Sequence, residues 1–357
     1  MRPTKAIIHR SAIQHNLEQI KKMAPQSRIM AVVKADAYGH GLVPIAKSLA
    51  AADALAVACI EEAIELRNGG VTTPIILLEG IFESNELPLV AQLDLQLVIH
   101  NQHQIDLLKA NPTDKPIEVW LKVDTHMNRL GFAADSIAEV FESVQQLPSV
   151  SVLRLMTHFA CADDVASSMT QQQLDLFKSV TAEFDVEKSA ANSAAVLAWP
   201  ETHFDWVRPG LMLYGYSPLL GKEGHEHKLL PAMTLESKLF EVKTVEKGES
   251  VGYGAHWRAE HKTTIGIVAI GYGDGYPRHV ENDAPVWVNG RIVPIAGRVS
   301  MDMFAVNLGE DSKDSIGDRV VLWGPELPVE RVALAANTIP YTLVCGVTAR
   351  VKYHWSE

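Results

Sequence analysis

Apolar runs of strand length recur through the first two-thirds of the chain, at Met30–Val33, Leu55–Cys59, Pro74–Leu78, Leu97–Ile99, Ile117–Val123, Val152–Thr157, Ser189–Asn192 and Trp206–Leu213. Amphipathic stretches lie between several of them, at Ile13–Met23, Ile105–Ala110, Ser136–Val144 and Gln171–Phe184. In the first of these Ile13, Leu17 and Ile20 share one helical face, and Ser11 with Gln14 reads as a capping box that opens it. Apolar strands alternating with amphipathic helices predict a parallel sheet covered by helices. Eight such strands favour a closed (β/α)8 barrel, a TIM-like α/β fold, over an open doubly wound sheet.

Past about residue 230 the pattern changes. Strand-like pieces at Leu239–Val245, Thr264–Ile270, Pro285–Val288 and Arg291–Ile295 follow one another without convincing helices between them. Asn289-Gly290, between the last two, is a type I′ hairpin signal. The expectation is a barrel over residues 1–230 and a mostly β C-terminal domain over 231–357, with Gly221–His227 as a surface loop near the junction.

A chain of 357 residues is long for one core, which agrees with two domains. The formal net charge is −11 and no long basic stripe interrupts it, so nucleic acid and anionic membranes are poor partners. The N-terminus lacks the apolar core of a signal peptide, and no apolar run approaches the ~20 residues of a membrane span. Cys59, Cys161 and Cys345 are far apart and have no metal-like spacing. A sparse, odd count fits the reducing cytoplasm, with no structural metal.

The candidate chemistry sits at strand ends, which in a barrel share one face. Lys34 closes the run Ala31-Val32-Val33 and is followed at once by Ala35-Asp36-Ala37-Tyr38-Gly39-His40-Gly41. Most strand-end lysines simply reach solvent. A buried one needs a partner or uses its amine, which can form a Schiff base with a carbonyl cofactor. Lys122, Asp124 and Arg129 close another strand, His158 a third, Asn192-Ser193 a fourth, and Arg208-Pro209-Gly210-Leu211 the last. Singly, each has an ordinary explanation: Lys122 and Asp124 share a face and could pair, and a strand-end histidine is usually a satisfied hydrogen bonder. Together, two Lys, two Arg and a His make a cationic mouth suited to an anion with more than one charge.

The string from Ala31 to Gly41 resembles the cofactor-attachment signature of the alanine racemases. The likeness continues, in family order, through Lys122–Phe132, Thr157-His158-Phe159, Asn192-Ser193-Ala194-Ala195, Val207–Gly215, Val251-Gly252-Tyr253-Gly254 and Gly297-Arg298-Val299-Ser300-Met301-Asp302. The resemblance implies a pyridoxal 5′-phosphate (PLP) enzyme that interconverts L- and D-alanine, working as a homodimer with shared active sites. It also implies that the first strand, near Ala6–His9, packs with the C-terminal domain.

On that template Lys34 holds PLP and serves as the base on one face, while Tyr253 from the partner subunit serves on the other. His158 bonds this phenol, with Arg208 behind it facing the pyridine nitrogen. Tyr38, Ser193, Tyr341 and the amides of Gly210 and Leu211 match the phosphate handle. Arg129 and the Met301 amide match the substrate-carboxylate site, and Lys122 matches a lysine often carried as a carbamate. Asp163, Tyr272, Arg278 and Arg298 match the entry channel. One departure stands out: His126 occupies a position where the family usually has Gly, a steric burden if φ is positive there. The competing readings are a racemase of serine or of small amino acids broadly, a decarboxylase on the same plan, and a non-catalytic PLP-binding barrel.

Overall fold

In the computed structural model, which describes residues 2–356, the apolar runs become a closed parallel barrel. An opening strand β1 (Lys5–His9) and a helix over Arg10–Met23 come first. The barrel strands are β2 (Arg28–Val32), β3 (Ala54–Val57), β4 (Ile75–Leu77), β5 (Leu95–Ile99), β6 (Ile117–Asp124), β8 (Val150–Met156), β9 (Lys188–Asn192) and β10 (Trp206–Arg208), with a two-residue β7 (Phe132–Ala133) attached to β6. Every position of β3 and β4 is buried, because helices cover strands whose other face fills the barrel. Closure comes from β10 pairing with β2, Trp206 opposite Arg28 and Val207 opposite Ile29.

The amino end of the barrel is tied by charge and aromatic contacts. Arg154 reaches Glu187 and Glu118, each at 2.6 Å, and the Arg28 guanidinium lies 4.3 Å from the Trp206 ring centroid. The opposite, carboxyl end is left for the candidate site.

Two expectations change at element ends. The first helix starts at Arg10, so Ser11 lies inside its first turn and does not cap it. The run Trp206–Leu213 is strand only to Arg208, since Pro209 has no N–H to continue the ladder. Leu211–Tyr214 winds into a 3-10 turn instead.

Compact units divide the chain: Gln14–Leu213 with Ser217–Lys222 form the barrel unit, and the remaining described residues form the second. The second unit is built on the 13-residue β11 (Met233–Val245), which pairs with β1 and, further along, with β14 and β18. Its other strands are β12 (Ser250–Val251), β13 (Trp257–Arg258), β14 (Thr263–Val268), β15 (Pro285–Val288), β16 (Arg291–Pro294), β17 (Phe304–Gly309), β18 (Arg319–Trp323) and β19 (Lys352–Ser356). Strand β1 lies between β11 and β19, antiparallel to the first and parallel to the second. Asn289 and Gly290 both have positive φ, 45° and 86°, as a type I′ turn between β15 and β16 requires. Two helices, Val329–Ala335 and Pro340–Cys345, lie among the strands of this mostly β unit. No helix among the described residues is long and apolar enough to cross a membrane.

Candidate active site

Lys34 stands half-buried just past β2, and the backbone after it takes an uncommon course. Ala35, Asp36, Ala37 and Tyr38 have φ of 54°, 53°, 52° and 52°, with ψ between 43° and 55°. This is a left-handed helical turn made of four non-glycine residues, each costing roughly 1–2 kcal/mol relative to a right-handed one. Its product is the position of Tyr38. A Cβ on Gly210 would lie 2.6 Å from the Tyr38 Oη, so only glycine lets the phenol sit there. The Gly210 N–H donates to the Ser193 Oγ at 2.8 Å, which leaves the serine's own hydrogen to donate elsewhere. Tyr38, Ser193 and Gly210 thus converge although they come from the ends of β2, β9 and β10. Two hydroxyls over a glycine-permitted backbone form a donor set that fits a phosphate.

Arg208 is buried at the end of β10. Its Nη1 donates to Ser189 Oγ at 2.6 Å, and its Nη2 to the carbonyls of Thr157 and Ala190. The same Nη2 lies 3.2 Å from His158 Nδ1. A guanidinium has only donors, so Nδ1 accepts and the imidazole hydrogen is on Nε2. Besides one hydrogen on Nη1, the donor left over among the described residues is Nε. It suits the acceptor nitrogen of an unprotonated aromatic ring.

Like charges crowd this mouth. Burial pushes the Lys122 ammonium down to about 8, helped by Arg208, Arg129 and Lys34 and opposed by Asp124. His158 is held well below the usual histidine value by burial and then by Arg208, Lys122, Arg129 and Lys34. Burial lowers Arg208 to about 10 and leaves it cationic. Neutral imidazole beside permanent guanidinium is the resulting arrangement.

Two supports were not legible in the sequence. Gln173, fully buried on the helix Met169–Val180, donates to Thr125 Oγ1 at 3.2 Å and to the His158 carbonyl at 3.1 Å, and accepts from the Ala160 N–H at 2.9 Å. Thr125 and Thr157 meet at 2.7 Å across β6 and β8. A glutamine three residues from Thr170 and four from Phe177 on a buried helical stripe was the available signal. His40, inside the string from Ala31 to Gly41, is wholly buried, and sequence reasoning gave its side chain no role.

His126 has φ 77° and an exposed side chain, so the steric burden expected there is present. His126→Gly should therefore raise stability by roughly 0.5–1 kcal/mol, the relief of strain less the entropy glycine adds to the unfolded chain. Urea unfolding reads this directly, and a lower midpoint for the variant would contradict it.

Other candidate residues fall into separate places. Asp163 lies in the loop after β8, its carbonyl accepting the Leu220 N–H at 3.1 Å. Arg129 is exposed beyond β6. In the second unit Tyr253 is 70% exposed between Gly252 and Gly254, whose φ are 77° and 75°. A Cβ on Gly254 would approach Arg298 Nη1 at 3.3 Å, so the Tyr253 turn packs on that arginine. Tyr272 donates its N–H to the Ser300 carbonyl at 3.0 Å, next to the exposed Met301, and the Arg278 guanidinium lies 5.9 Å from its ring centroid. Tyr341 is half-buried on the helix Pro340–Cys345.

The barrel, its strand-end lysine and the hydroxyls gathered over Gly210 have the chemistry of one class, enzymes that use a phosphorylated carbonyl cofactor. Residues 8–218 match the family described as "Alanine racemase, N-terminal domain", and residues 232–355 match "Alanine racemase, C-terminal domain". The chain belongs to the alanine racemase family. An alanine racemase of Shewanella denitrificans is 50% identical over 97% of both chains, and one of Vibrio parahaemolyticus is 48% identical over 100% of both. The crystal structure of a biosynthetic alanine racemase from Pseudomonas aeruginosa superposes with a TM-score of 0.97 at 46% identity, covering 100% of each chain. An alanine racemase from Bartonella henselae, solved with covalently bound pyridoxal phosphate, gives 0.90 at 30% identity, again over 100% of each chain.

Proposed function

We propose that this chain interconverts L- and D-alanine using PLP held by Lys34, as a homodimer in which Tyr253 of one subunit serves the barrel of the other. The observation that carries the reading is the contact between Arg208 and His158 Nδ1, set in the same cationic mouth as Lys34. When bound, the cofactor draws electrons from Cα of the amino acid and so makes its hydrogen acidic.

The chain's own groups decide where that hydrogen goes. Lys34 Nζ takes or returns the Cα proton on one face. Returning a proton only to the face it left regenerates the starting hand, so inversion needs a second group opposite. An ordinary tyrosine ionises near ~10, too high for neutral pH without help. The Nε2–H of His158, directed by Arg208, supplies that help by donating to the phenolate. Tyr253, 70% exposed, and Met301, 53% exposed, have surface to give to a second subunit.

With the cofactor bound, Arg208 Nε would donate to the ring nitrogen and, being unable to accept, would keep it unprotonated. This moderates electron withdrawal and favours simple proton exchange over other reactions. Tyr38, Ser193 and Tyr341, with the amides of Gly210 and Leu211, would hold the phosphate, the Gly210 N–H being shared with Ser193 Oγ. Arg129 and the Met301 amide of the partner subunit hold the carboxylate, and Asp163, Tyr272, Arg278 and Arg298 line the way in. A non-catalytic barrel is disfavoured by the match over residues 232–355, which supplies the second domain. The cytosol is the proposed place of action, in keeping with only three, widely separated cysteines in the sequence.

The direct test is conversion of each alanine enantiomer by the PLP-loaded protein, with serine as competitor. Preferential turnover of serine, or none of either, would sink the reading.

Lys122 is proposed to carry CO2 as a carbamate, which turns a cation repelled by Arg129 into an anion that braces it. Only the unprotonated amine reacts with CO2. With the ammonium lowered to about 8, that fraction grows as pH rises through 8. Incorporation of labelled bicarbonate should rise across the same window and vanish in Lys122→Arg, and a flat pH response would count against the proposal.

A further inference from the structure

Strained backbone persists only where its surroundings over-determine it. The left-handed turn after Lys34 has three side chains at its corners. Glu62, in the first turn of the helix Ile60–Asn68, spans two strand ends: its Oε1 accepts the Ala35 N–H at 2.6 Å and its Oε2 the Ala58 N–H at 2.8 Å. Asp36 Oδ1 accepts the Leu42 N–H at 2.7 Å, where the next helix begins. His40 is wholly buried, and its Nδ1 lies 2.8 Å from the Tyr38 carbonyl and 3.1 Å from that of Ala37. Two carbonyls can only accept, so Nδ1 carries the hydrogen and donates to both. Burial lowers His40 to about 4, which keeps the ring neutral and this tautomer available at physiological pH.

These bonds do not fall at random on the turn. Glu62 grips the first residue after Lys34, and His40 grips the carbonyl of Tyr38 itself. If either grip is lost, relaxation toward right-handed backbone is downhill and carries the Tyr38 ring off Gly210. We propose that His40 and Glu62 are positioning residues for the cofactor's two anchors. They fix one separation between the Lys34 amine and the Tyr38 hydroxyl, which PLP spans from aldehyde to phosphate. This rests on the proposed placement of PLP between those two side chains.

The test uses the full-length protein and reads PLP binding by equilibrium dialysis, with no reliance on turnover. His40→Leu removes the donor, and the Kd for PLP should rise about tenfold, the worth of one good hydrogen bond. His40→Asn keeps an N–H near the Nδ1 position and should stay within about threefold of the parent. Glu62→Gln turns a donor toward one of the two N–H groups it serves and should also weaken binding about tenfold. The deciding arm is a cycle with Tyr38→Phe. If His40 acts through the Tyr38 hydroxyl, His40→Leu in the Tyr38→Phe background should add less than about twofold.

Full additivity of the two losses would overturn the positioning role and show a general structural one. A Tyr38→Phe variant that binds PLP as tightly as the parent would overturn the phosphate placement, and the proposal with it. Should His40→Leu not fold, Glu62→Gln is nearly isosteric at a half-buried site and carries the same cycle.

Discussion

Lys34→Ala is expected to abolish covalent retention of PLP after borohydride treatment and to lower alanine turnover at least roughly 10³-fold, since it removes a nucleophile and a base at once. The obvious substitute is Lys122, whose amine is lowered to about 8 and faces the same mouth. It sits within β6, however, and not ahead of the turn that carries Tyr38. An amine placed there cannot share the anchoring geometry of Lys34. The variant also removes one of the cations that depress His158 and Lys122, so both should titrate higher than in the parent. Retention of borohydride-fixed PLP by Lys34→Ala would move the attachment to another lysine and undo the proposed site.

Tyr253→Phe should lower racemisation roughly 10²–10⁴-fold, the usual contribution of one positioned acid or base. Enantiomers have equal free energies, so kcat/KM must fall by the same factor in both directions, and comparing those rates cannot identify the faces. Exchange of the Cα hydrogen with heavy water can. The enantiomer whose hydrogen faces Lys34 should still exchange with retention, because Lys34 needs no help to take and return a proton. The other should lose exchange along with inversion. Equal survival of exchange in both enantiomers, or equal loss, would rule out two bases on opposite faces. On the proposed homodimer the phenol, 70% exposed on its own chain, would serve the barrel of the second subunit. A variant held monomeric should behave like Tyr253→Phe.

The barrel was legible because its strands are buried on both faces and read as unbroken apolar runs, as in Leu55 to Val57 and Ile75 to Leu77. The first half of β11 was not. Thr234, Glu236 and Ser237 are buried there, and Glu236 is admissible only because Arg319 and Lys5 reach its carboxylate at 2.6 and 3.1 Å. Those partners lie far away in the chain, so the segment looks polar by itself. Strands β17, β18 and β19 were missed, as were the helices Val329–Ala335 and Pro340–Cys345. The left-handed turn is the sharper case. Ala-Asp-Ala-Tyr has no glycine to announce positive φ, and side-chain bonds from Glu62, Asp36 and His40 help hold it there together with its own backbone bonds.

The sequence alone determined the alternation of strands and helices, the change to β structure after the barrel, and the inventory of Lys34, Lys122, Arg129, His158 and Arg208 at strand ends. These come from hydrophobic period and side-chain chemistry, which are local. Only the tertiary structure decided that Arg208 faces His158 Nδ1, that Tyr38 lies on Gly210 beside Ser193, and that Gln173 braces the His158 backbone. Those contacts join residues from different strands. Their geometry is set by barrel closure and by many weak bonds acting together, so no neighbouring stretch of chain encodes it.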